Sequence, residues 1–337
     1  MRSRRTALQQ LTLAGWAAGP LAARPAWPAP ATPATPAAPW PSAPIRILLV
    51  YPPGGVSDVA ARALAELLSQ AFATSVRVDY RPGASGSLGM DALASAAPDG
   101  HTLAFSATSP LPLYPQLTRV RHDPQRDITP VASVMLTPSL LVGTPAFSGT
   151  GLPDLLAQAR ARPGQLRWAT TGAGTTGHLV LAQWQRASGA LVSHIPYKDG
   201  GQQLGDALAG QFELLSTNVG GLQLAHILSG KFKPLAVGAP QRLAALPNVP
   251  TWAELGYPLA NLASVFGLFA PAVTPAPVLD RLNAEVNRAL GHAALRDPLL
   301  AADNLPTGGS ADEFAALIRR EQAQHRALLR LVAISLD

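Results

Sequence analysis

Apolar and polar residues along the chain follow two different periods, and the clearest change between them lies within residues 45–68. A run rich in β-branched residues ends at the Pro-Pro-Gly-Gly sequence of 52–55, after which apolar residues recur with helical spacing. Proline ends a strand, and glycine allows backbone conformations that are closed to other residues. The pattern predicts a strand at 45–50, a tight turn, and a helix that Ser57 or Asp58 caps.

The same alternation of strand and helix continues along most of the chain. Strands are predicted at 45–50, 76–80, 102–106, 140–142, 166–170, 192–195, 212–216, 234–237 and 265–269. Helices are predicted at 57–72, 88–96, 152–162, from 178 onward, and at 203–209, 222–228, 276–290 and 311–331. Alternation of this kind is typical of α/β folds with a mainly parallel sheet. Because the closing part returns to the first unit, we expect two α/β lobes joined by crossover strands.

The N-terminal residues have the composition of a targeting segment. Three arginines lie within residues 1–5 and an apolar run follows, which predicts an export signal at 1–24. Residues 3–8 resemble a twin-arginine signal, and a Sec signal is the alternative. A lipid-anchored variant is excluded because the chain has no cysteine. Residues 25–43 are rich in proline and alanine and predict a linker.

Charge and cysteine content exclude several classes of function. Of 26 basic residues, four precede residue 44, so 22 remain against 20 acidic residues in the rest of the chain. No cluster of basic residues with interleaved aromatics occurs, which argues against nucleic-acid binding. The absence of cysteine excludes disulfides, thiolate zinc sites and cysteine nucleophiles. We predict no cofactor and no metal.

Two glycine-rich helix starts are candidate anion sites, because the free N–H groups of a helix N-terminus attract anions. The first is the turn at 52–55, for which an ordinary strand-to-helix connection is the alternative. The second, at 172–177, matches G-x-G-x-x-G. A dinucleotide site would require an acidic residue at the end of the next strand, but the first acid there is Asp199, beyond Pro196. We therefore interpret this segment as a second helix start able to hold a carboxylate or similar anion.

The chain gives little support for catalysis. It contains no G-x-S-x-G, H-E-x-x-H or P-loop sequence. His178 opens a predicted helix and is interpreted as a structural or capping residue rather than a metal ligand or base. Asp58 is interpreted as a helix cap rather than a catalytic carboxylate. The glycine-rich stretch at 80–89 is either a surface turn or a second wall of the cleft.

Several segments in order resemble the Bug family, the periplasmic solute-binding receptors of tripartite tricarboxylate transporters. These segments are PIRILLVYPPGGVSDVAARALAE, RPGASGSLGMDALASAAPDGHTL, ATTGAGTTGHL, IPYKDGG, SGKFKPLAVGAPQRLAALPNVPTWAELGYP and FGLFAPAVTPAPVLDRLN, and they span residues 44–283. The resemblance implies a two-lobed type II periplasmic binding fold. It also implies a carboxylated ligand held between the lobes, largely by backbone amides and ordered water.

The resemblance assigns ligand contacts to both lobes. In lobe 1, residues 44–138 plus 267–337, it implies Tyr51, Gly54, Gly55, Val56, Ser57, Asp58, Ser106 and Thr108. In lobe 2, residues 139–266, it implies Thr171, Gly172, Gly174, Thr175, Thr176, Gly177, Lys198, Asp199, Thr217 and Asn218. Two positions depart from the family pattern. Val56 is apolar where relatives carry a small residue, and Asp199 adds a carboxylate that would disfavour a dianionic ligand.

The expected function is capture of a small carboxylated metabolite in the periplasm for uptake by a tripartite tricarboxylate-type transporter. We expect a monomer that closes by hinge rotation at 137–141 and 264–267 and passes its ligand to membrane transporter subunits. A ligand-presenting sensor subunit is one alternative. A secreted α/β hydrolase that uses Ser57 or Asp58 is another, and it would turn over its ligand rather than bind it.

Overall fold

The structure, a computed structural model, describes residues 40–111, 114–117, 120–198 and 200–331. The predicted export signal, the predicted linker before residue 40 and the predicted ligand contact Asp199 lie outside the described residues. Trp40, near the end of the predicted linker, packs edge-to-face on Phe72, with ring centroids 5.1 Å apart. The chain is thus in contact with the core of the first lobe from this residue onward.

Strands and helices alternate through the described residues. The strands are β1 Ile45–Leu49, β2 Val76–Tyr80, β3 Thr102–Ala107, β4 Ile128–Gly143, β5 Arg167–Thr170, β6 Ser193–Pro196, β7 Leu214–Asn218, β8 Lys233–Gly238, β9 Ala263–Pro271 and β10 Leu305–Pro306. The helices are α1 Val56–Phe72, α2 Ser87–Ala94, α3 Tyr114–Leu117, α4 Leu152–Ala161, α5 Thr176–Ser188, α6 Gly200–Leu208, α7 Gly221–Leu228, α8 Ala276–Leu290, α9 Ala293–Ala301 and α10 Ala311–Leu331. Most of these elements fall where the sequence pattern predicts them.

The strands follow one continuous path, β2-β1-β3-β9-β4-β7-β5-β6, with β8 and β10 also paired to β4. Strands β1, β2 and β3 pair in parallel, as do β5, β6 and β7. The two long strands between them, β4 and β9, pair antiparallel to each other and to their other neighbours. Each lobe therefore has the predicted parallel strands, and the crossover strands add antiparallel ladders.

Strand β4 connects the two lobes. Its residues up to Pro138 pair with β9, and from Ser139 onward it pairs with β7 and β8. This change of partner lies within the segment that the sequence analysis predicts as the first crossover. Strand β9 returns the chain to the first lobe, beginning at Ala263.

Apolar side chains cover both faces of each parallel strand group. In β1, Ile45, Ile47 and Leu49 join a buried cluster with α1, α8 and α9, whereas Leu48 joins a cluster that includes Phe314 of α10. Successive side chains of a strand point to opposite faces, so a strand between two helical layers must be apolar on both. This accounts for the continuous apolar run of β1.

The second lobe is built in the same way. Trp168, Trp184 and Trp252 are fully buried on one face of its sheet, with the Trp168 and Trp184 ring centroids 5.4 Å apart. Phe212 and Phe232 belong to the cluster on the other face. Because the chain has no cysteine, this packing stabilises the fold without disulfides.

Candidate ligand-binding cleft

A cavity with a volume of 190 Å³ lies where the N-termini of α1 and α5 converge. Its walls come from the loop after β1, the glycine-rich stretch before α2, the loop after β5, the start of α6 and the ends of β7 and β9. Ligands of open α/β sheets bind at the carboxyl ends of strands, which is where most of these segments lie. The cavity is therefore the candidate ligand site.

The loop after β1 is held in shape by Asp58, a residue of α1 that is 2% exposed. Its carboxylate accepts hydrogen bonds from the backbone N–H of Gly54, at 2.9 Å, and from the hydroxyl of Tyr80, at 2.7 Å. Arg62, one turn further along α1, lies 3.3 Å from the same carboxylate. The carboxylate of Asp58 thus serves the loop and does not line the cavity. The N-cap of α1 is Gly55 rather than the predicted Ser57 or Asp58, and Asp58 lies in the first turn, where its carboxylate holds the preceding loop. The predicted ligand contact Asp58 is not among the residues that line the cavity.

The start of α1 presents backbone N–H groups to the cavity. Its N-cap is Gly55, which has an extended backbone, so the helix start has no side-chain capping hydrogen bond. The first N–H groups of a helix have no acceptor within it. Gly55, Val56 and Ser57 all line the cavity, so these donors face the space where a ligand would lie. Val56 contributes an apolar side chain to the wall in addition to its backbone.

The loop after β5 has its own internal hydrogen bonds. Gly172 donates to the Thr170 hydroxyl and accepts from the Thr175 hydroxyl, at 3.2 and 2.7 Å. The N–H of Gly174 donates to Nδ1 of His178 at 3.1 Å. Gly172 and Gly174 have φ angles of 133° and 70°, which glycine adopts without strain. Both glycines shape the loop, and neither lines the cavity.

His178 is a structural residue, as the sequence predicts. Its ring stacks on that of His194, with centroids 4.0 Å apart, and His194 in turn lies 2.7 Å from the Thr170 hydroxyl. Burial lowers the pKa of His178 to about 3, with a smaller contribution from His194, and burial lowers the pKa of His194 to about 4. Both rings are therefore neutral at neutral pH, which leaves Nδ1 of His178 free to accept the Gly174 N–H.

Beyond this loop, α5 begins at the cavity. Thr175, Thr176 and Gly177 line it, and the N–H groups of the first turn again have no acceptor within the helix. A Cβ on Gly177 would lie 2.9 Å from the hydroxyl of Ser216, so a larger residue here would displace one of the two segments. The cavity is thus flanked by two helix N-termini, one from each lobe.

A hydrogen bond joins the lobes beside the cavity. The Ser85 hydroxyl, in the stretch before α2, donates to the backbone carbonyl of Ala173 at 2.6 Å. The Ser264 hydroxyl of β9 lies 3.0 Å from both the Thr176 hydroxyl and the side-chain oxygen of Asn218. The contact between Ser85 and Ala173 requires the lobes to be close together, as in a closed cleft. The contacts of Ser264 lie within the second lobe.

Tyr51 forms an uncharged polar part of the wall. Burial raises the pKa of Tyr51 to about 12, although hydrogen bonds with Ser106, Ala107 and Ser109 act in the opposite direction. The phenol is therefore protonated at physiological pH. Ser106 and Thr108 themselves do not line the cavity. The Ser106 hydroxyl donates to the Ala107 carbonyl, and the Thr108 N–H donates to Val265 of the neighbouring strand.

The described residues that line the cavity carry almost no charge. Among the described residues that line it, Lys198 has the only charged side chain, and Lys198 is exposed. No group of three or more histidine, aspartate or glutamate side chains in the described part of the chain is arranged to hold a metal ion. An anion in this cavity would therefore be stabilised mainly by backbone N–H groups and helix dipoles.

Most of the predicted ligand contacts come together here, although they lie far apart in the sequence. Those that line the cavity are Tyr51, Gly54, Gly55, Val56, Ser57, Thr171, Thr175, Thr176, Gly177, Lys198, Thr217 and Asn218. Those that the structure places outside it are Asp58, Ser106, Thr108, Gly172 and Gly174. The last five follow strand ends or glycine-rich motifs in the sequence, but their polar groups serve the loops.

Other lining residues are not among the predicted ligand contacts. The glycine-rich stretch before α2 contributes Gly83, Ser85 and Gly86, in agreement with its interpretation as a cleft wall rather than a surface turn. Gln203 of α6 and Ser216 of β7 are buried and line the cavity. Ser216 is the last residue of the strand predicted at 212–216, and its place at a strand's carboxyl end is the signal that could have identified it.

The chain matches a known protein family over most of its length. A family profile described as "Tripartite tricarboxylate transporter family receptor" matches residues 60–334. The chain belongs to this receptor family. Protein BugT of Bordetella pertussis is 34% identical over 294 residues, which cover 86% of this chain and 90% of BugT. The predicted resemblance to the Bug family is thereby confirmed.

Solved structures of receptor relatives have the same fold. A structure described as a periplasmic transporter superposes with a TM-score of 0.84 at 29% identity and covers 88% of this chain. An R. palustris protein solved with adipate has a TM-score of 0.83 at 29% identity, covering 88% of this chain and 99% of that protein. MatC from Rhodopseudomonas palustris, solved with bound malate, has a TM-score of 0.80 at 25% identity, covering 86% of this chain and 100% of MatC.

These findings confirm the two-lobed type II periplasmic binding fold. The matched family is one of transporter receptors, which favours a binding function over the secreted hydrolase. Within the described residues, no helix combines the length and apolar character that crossing a membrane requires.

Proposed function

We propose that this receptor binds a small carboxylated metabolite in the cleft and delivers it to the membrane subunits of a tripartite tricarboxylate-type transporter. The observation that carries the proposal is the convergence of the α1 and α5 N-termini on one nearly uncharged cavity. Two helix dipoles and several free N–H groups favour a carboxylate without a cationic side chain. The relatives solved with adipate and with malate support the same ligand class.

In this proposal the ligand contacts are those residues that the family resemblance implies and that also line the cavity. They are Tyr51, Gly54, Gly55, Val56, Ser57, Thr171, Thr175, Thr176, Gly177, Lys198, Thr217 and Asn218. Asp58, Gly172 and Gly174 act indirectly, because their hydrogen bonds hold the two loops in place. The role of Asp199 follows from the resemblance alone.

The receptor works in the periplasm as a monomer, after export directed by residues 1–24. Lobe 1 comprises 44–138 plus 267–337 and lobe 2 comprises 139–266, and the lobes rotate about the crossovers near 137–141 and 264–267. The periplasmic relatives support this localisation. The change of partner within β4 supports the position of the first crossover. The contact between Ser85 and Ala173 forms as the cleft closes.

The proposal is tested by thermal-shift and calorimetric titration of the receptor with adipate and malate, each paired with its uncharged diamide. The acids are expected to raise the melting temperature, since a ligand that binds only the native state at 100 times its Kd adds about 2.7 kcal/mol of stability. The diamides are expected to have no effect. If no small carboxylate binds, or if the diamides bind as tightly, the proposal fails.

A variant of the α1 start locates the binding site. Gly55 and Gly151 are both extended N-caps, and only Gly55 lines the cavity. Gly55→Leu is expected to abolish acid binding because the new side chain occupies the space in front of the α1 amides. Gly151→Leu is the matched control and is expected to bind normally. Equal binding by the two variants would place the site elsewhere.

A further inference from the structure

The wall of the cleft contains a buried amide that the two helix N-termini do not account for. Gln203 lies in α6, is 3% exposed and lines the cavity. Its side-chain Nε2 atom has no hydrogen-bond partner among the described residues. In the sequence, Gln203 appears only as one residue of a predicted helix.

An unpartnered buried amide costs folding free energy, because the group gives up its hydrogen bonds to water and gains none in return. Buried polar side chains are otherwise almost always paired, and those that are not call for an explanation. In a cavity wall, the missing partner can come from a ligand. The two ends of a carboxamide offer a donor and an acceptor, so the group pairs with an oxygen or an amide of a ligand.

Gln203 lies on a different helix from the two that form the proposed carboxylate end of the cavity. That end is formed by the first turns of α1 and α5, and Ser216, whose hydroxyl is also unpartnered, lies against Gly177 there. Gln203 belongs to a third helix, α6, which begins at Gly200. A ligand that fills the cavity thus meets a side-chain amide at this wall, beside the backbone of Gly200 and Gly201.

The charge of the cavity wall beside Gln203 determines which type of ligand group can bind there. A carboxylate buried beside Gln203 would need a cation or several donors. Among the described lining residues the only cation is Lys198, which is exposed. One neutral amide suits a hydroxyl, a carbonyl or a carboxamide, each of which needs only one or two hydrogen bonds.

We infer that Gln203 is a specificity residue whose amide hydrogen-bonds an uncharged polar group of the ligand, so that the ligand is a carboxylate with a hydroxyl, carbonyl or amide substituent. This inference rests on the proposed function, since it takes the carboxylate to lie at the α1 and α5 N-termini. Ligands that lack such a substituent leave the buried amide unpaired and bind more weakly.

The test compares wild type and Gln203→Leu by calorimetry with matched pairs of acids at two chain lengths. The pairs are malate with succinate, which differ by one hydroxyl, and adipamate with hexanoate, which differ by one amide. Gln203→Leu is expected to weaken malate or adipamate at least tenfold more than its partner acid. Gln211→Leu is the control, because Gln211 is exposed and does not line the cavity.

Melting of the ligand-free variants provides an independent measurement. Because leucine removes an unpartnered amide, Gln203→Leu is expected to melt at the same temperature as wild type or higher. A clear fall in melting temperature would assign Gln203 to the fold and overturn the inference. Equal weakening of both acids of a pair would also overturn it while leaving the proposed function intact. Failure of every acid to bind wild type would overturn both.

Discussion

At the scale of single residues, a buried carboxylate positions the backbone of the loop after β1. The carboxylate of Asp58 is almost fully buried and receives hydrogen bonds from Gly54 and Tyr80. The hydrogen bond to Gly54 fixes a glycine with a φ of 92°, next to the amides that start α1. A charged group with two such partners stabilises the loop more than an exposed ion pair does.

We predict that Asp58→Ala lowers the free energy of unfolding by about 1–3 kcal/mol and weakens carboxylate binding, because Gly54 and Tyr80 lose their shared acceptor. Asp79→Ala is the control. Asp79 pairs with Arg81 at the surface, and its loss is expected to cost about 0–1 kcal/mol. Urea denaturation measures both values. A cost for Asp58→Ala no larger than that of the control would contradict the assigned role.

The loops that line the cavity were predicted from the sequence more accurately than the individual residues that line it. Gly172 and Gly174 are conspicuous in the sequence, but their N–H groups are taken by Thr170 and His178. Gln203 was missed because helical periodicity indicates that a residue lies in a helix but does not indicate which cavity its side chain lines. Such placements depend on contacts between segments that are distant in the sequence.

At the scale of elements, local patterns predicted α1 and α5 within two residues of their observed starts at Val56 and Thr176. They failed for β4, which extends from Ile128 to Gly143 although only 140–142 were predicted. Pro130 and Pro138 interrupt its apolar pattern, and proline normally argues against a central strand. The strand accommodates Pro130 beside a shift in its register with β9.

Helix α9, Ala293–Ala301, was missed for a similar reason, since Pro298 lies inside it. Proline removes a helical hydrogen bond and is rare in helix interiors. The buried side chains of Leu295 and Leu299 pack into the core of the first lobe. Tertiary packing therefore outweighs the local preference at this position.

The stacked pair His178 and His194 makes the free energy of unfolding depend on pH. The pKa values of His178 and His194 lie below the unfolded value near 6.5, at about 3 and about 4. Their contribution to stability is therefore complete above pH 6.5 and is lost as the pH falls toward 4. The slope reaches at most about 1.4 kcal/mol per pH unit for each histidine. Burial raises the pKa of Glu321 to about 7, which acts in the opposite direction over the same range.

A comparison of variants isolates the histidine contribution, because Glu321 affects wild type and variant alike. His194→Phe keeps an aromatic ring beside His178 and cannot be protonated. Its free energy of unfolding, measured by denaturation at pH 6.5, 5.5 and 4.5, is expected to fall less steeply than that of wild type. Parallel pH profiles would show that His194 is not held neutral by the fold.

At the scale of the whole molecule, two α/β lobes share one pair of long strands. Alternating strands and helices predicted the lobes, because each lobe repeats a local unit that can be recognised in the sequence. The order β2-β1-β3-β9-β4 and the antiparallel pairing of β4 with β9 were not predicted, since strand order is decided by contacts over long sequence separations. These crossovers bring the two helix N-termini together.

The central claim is that backbone amides from both lobes hold the carboxylate. Amide chemical shifts of the ¹⁵N-labelled receptor, followed during titration with the acid that binds, test it most directly. The account predicts large, saturable shifts at Gly55, Val56, Ser57 and Gly177. It predicts small shifts at Gly174, whose N–H already donates to His178. Unmoved resonances at the starts of α1 and α5, with the largest shifts elsewhere, would contradict the account.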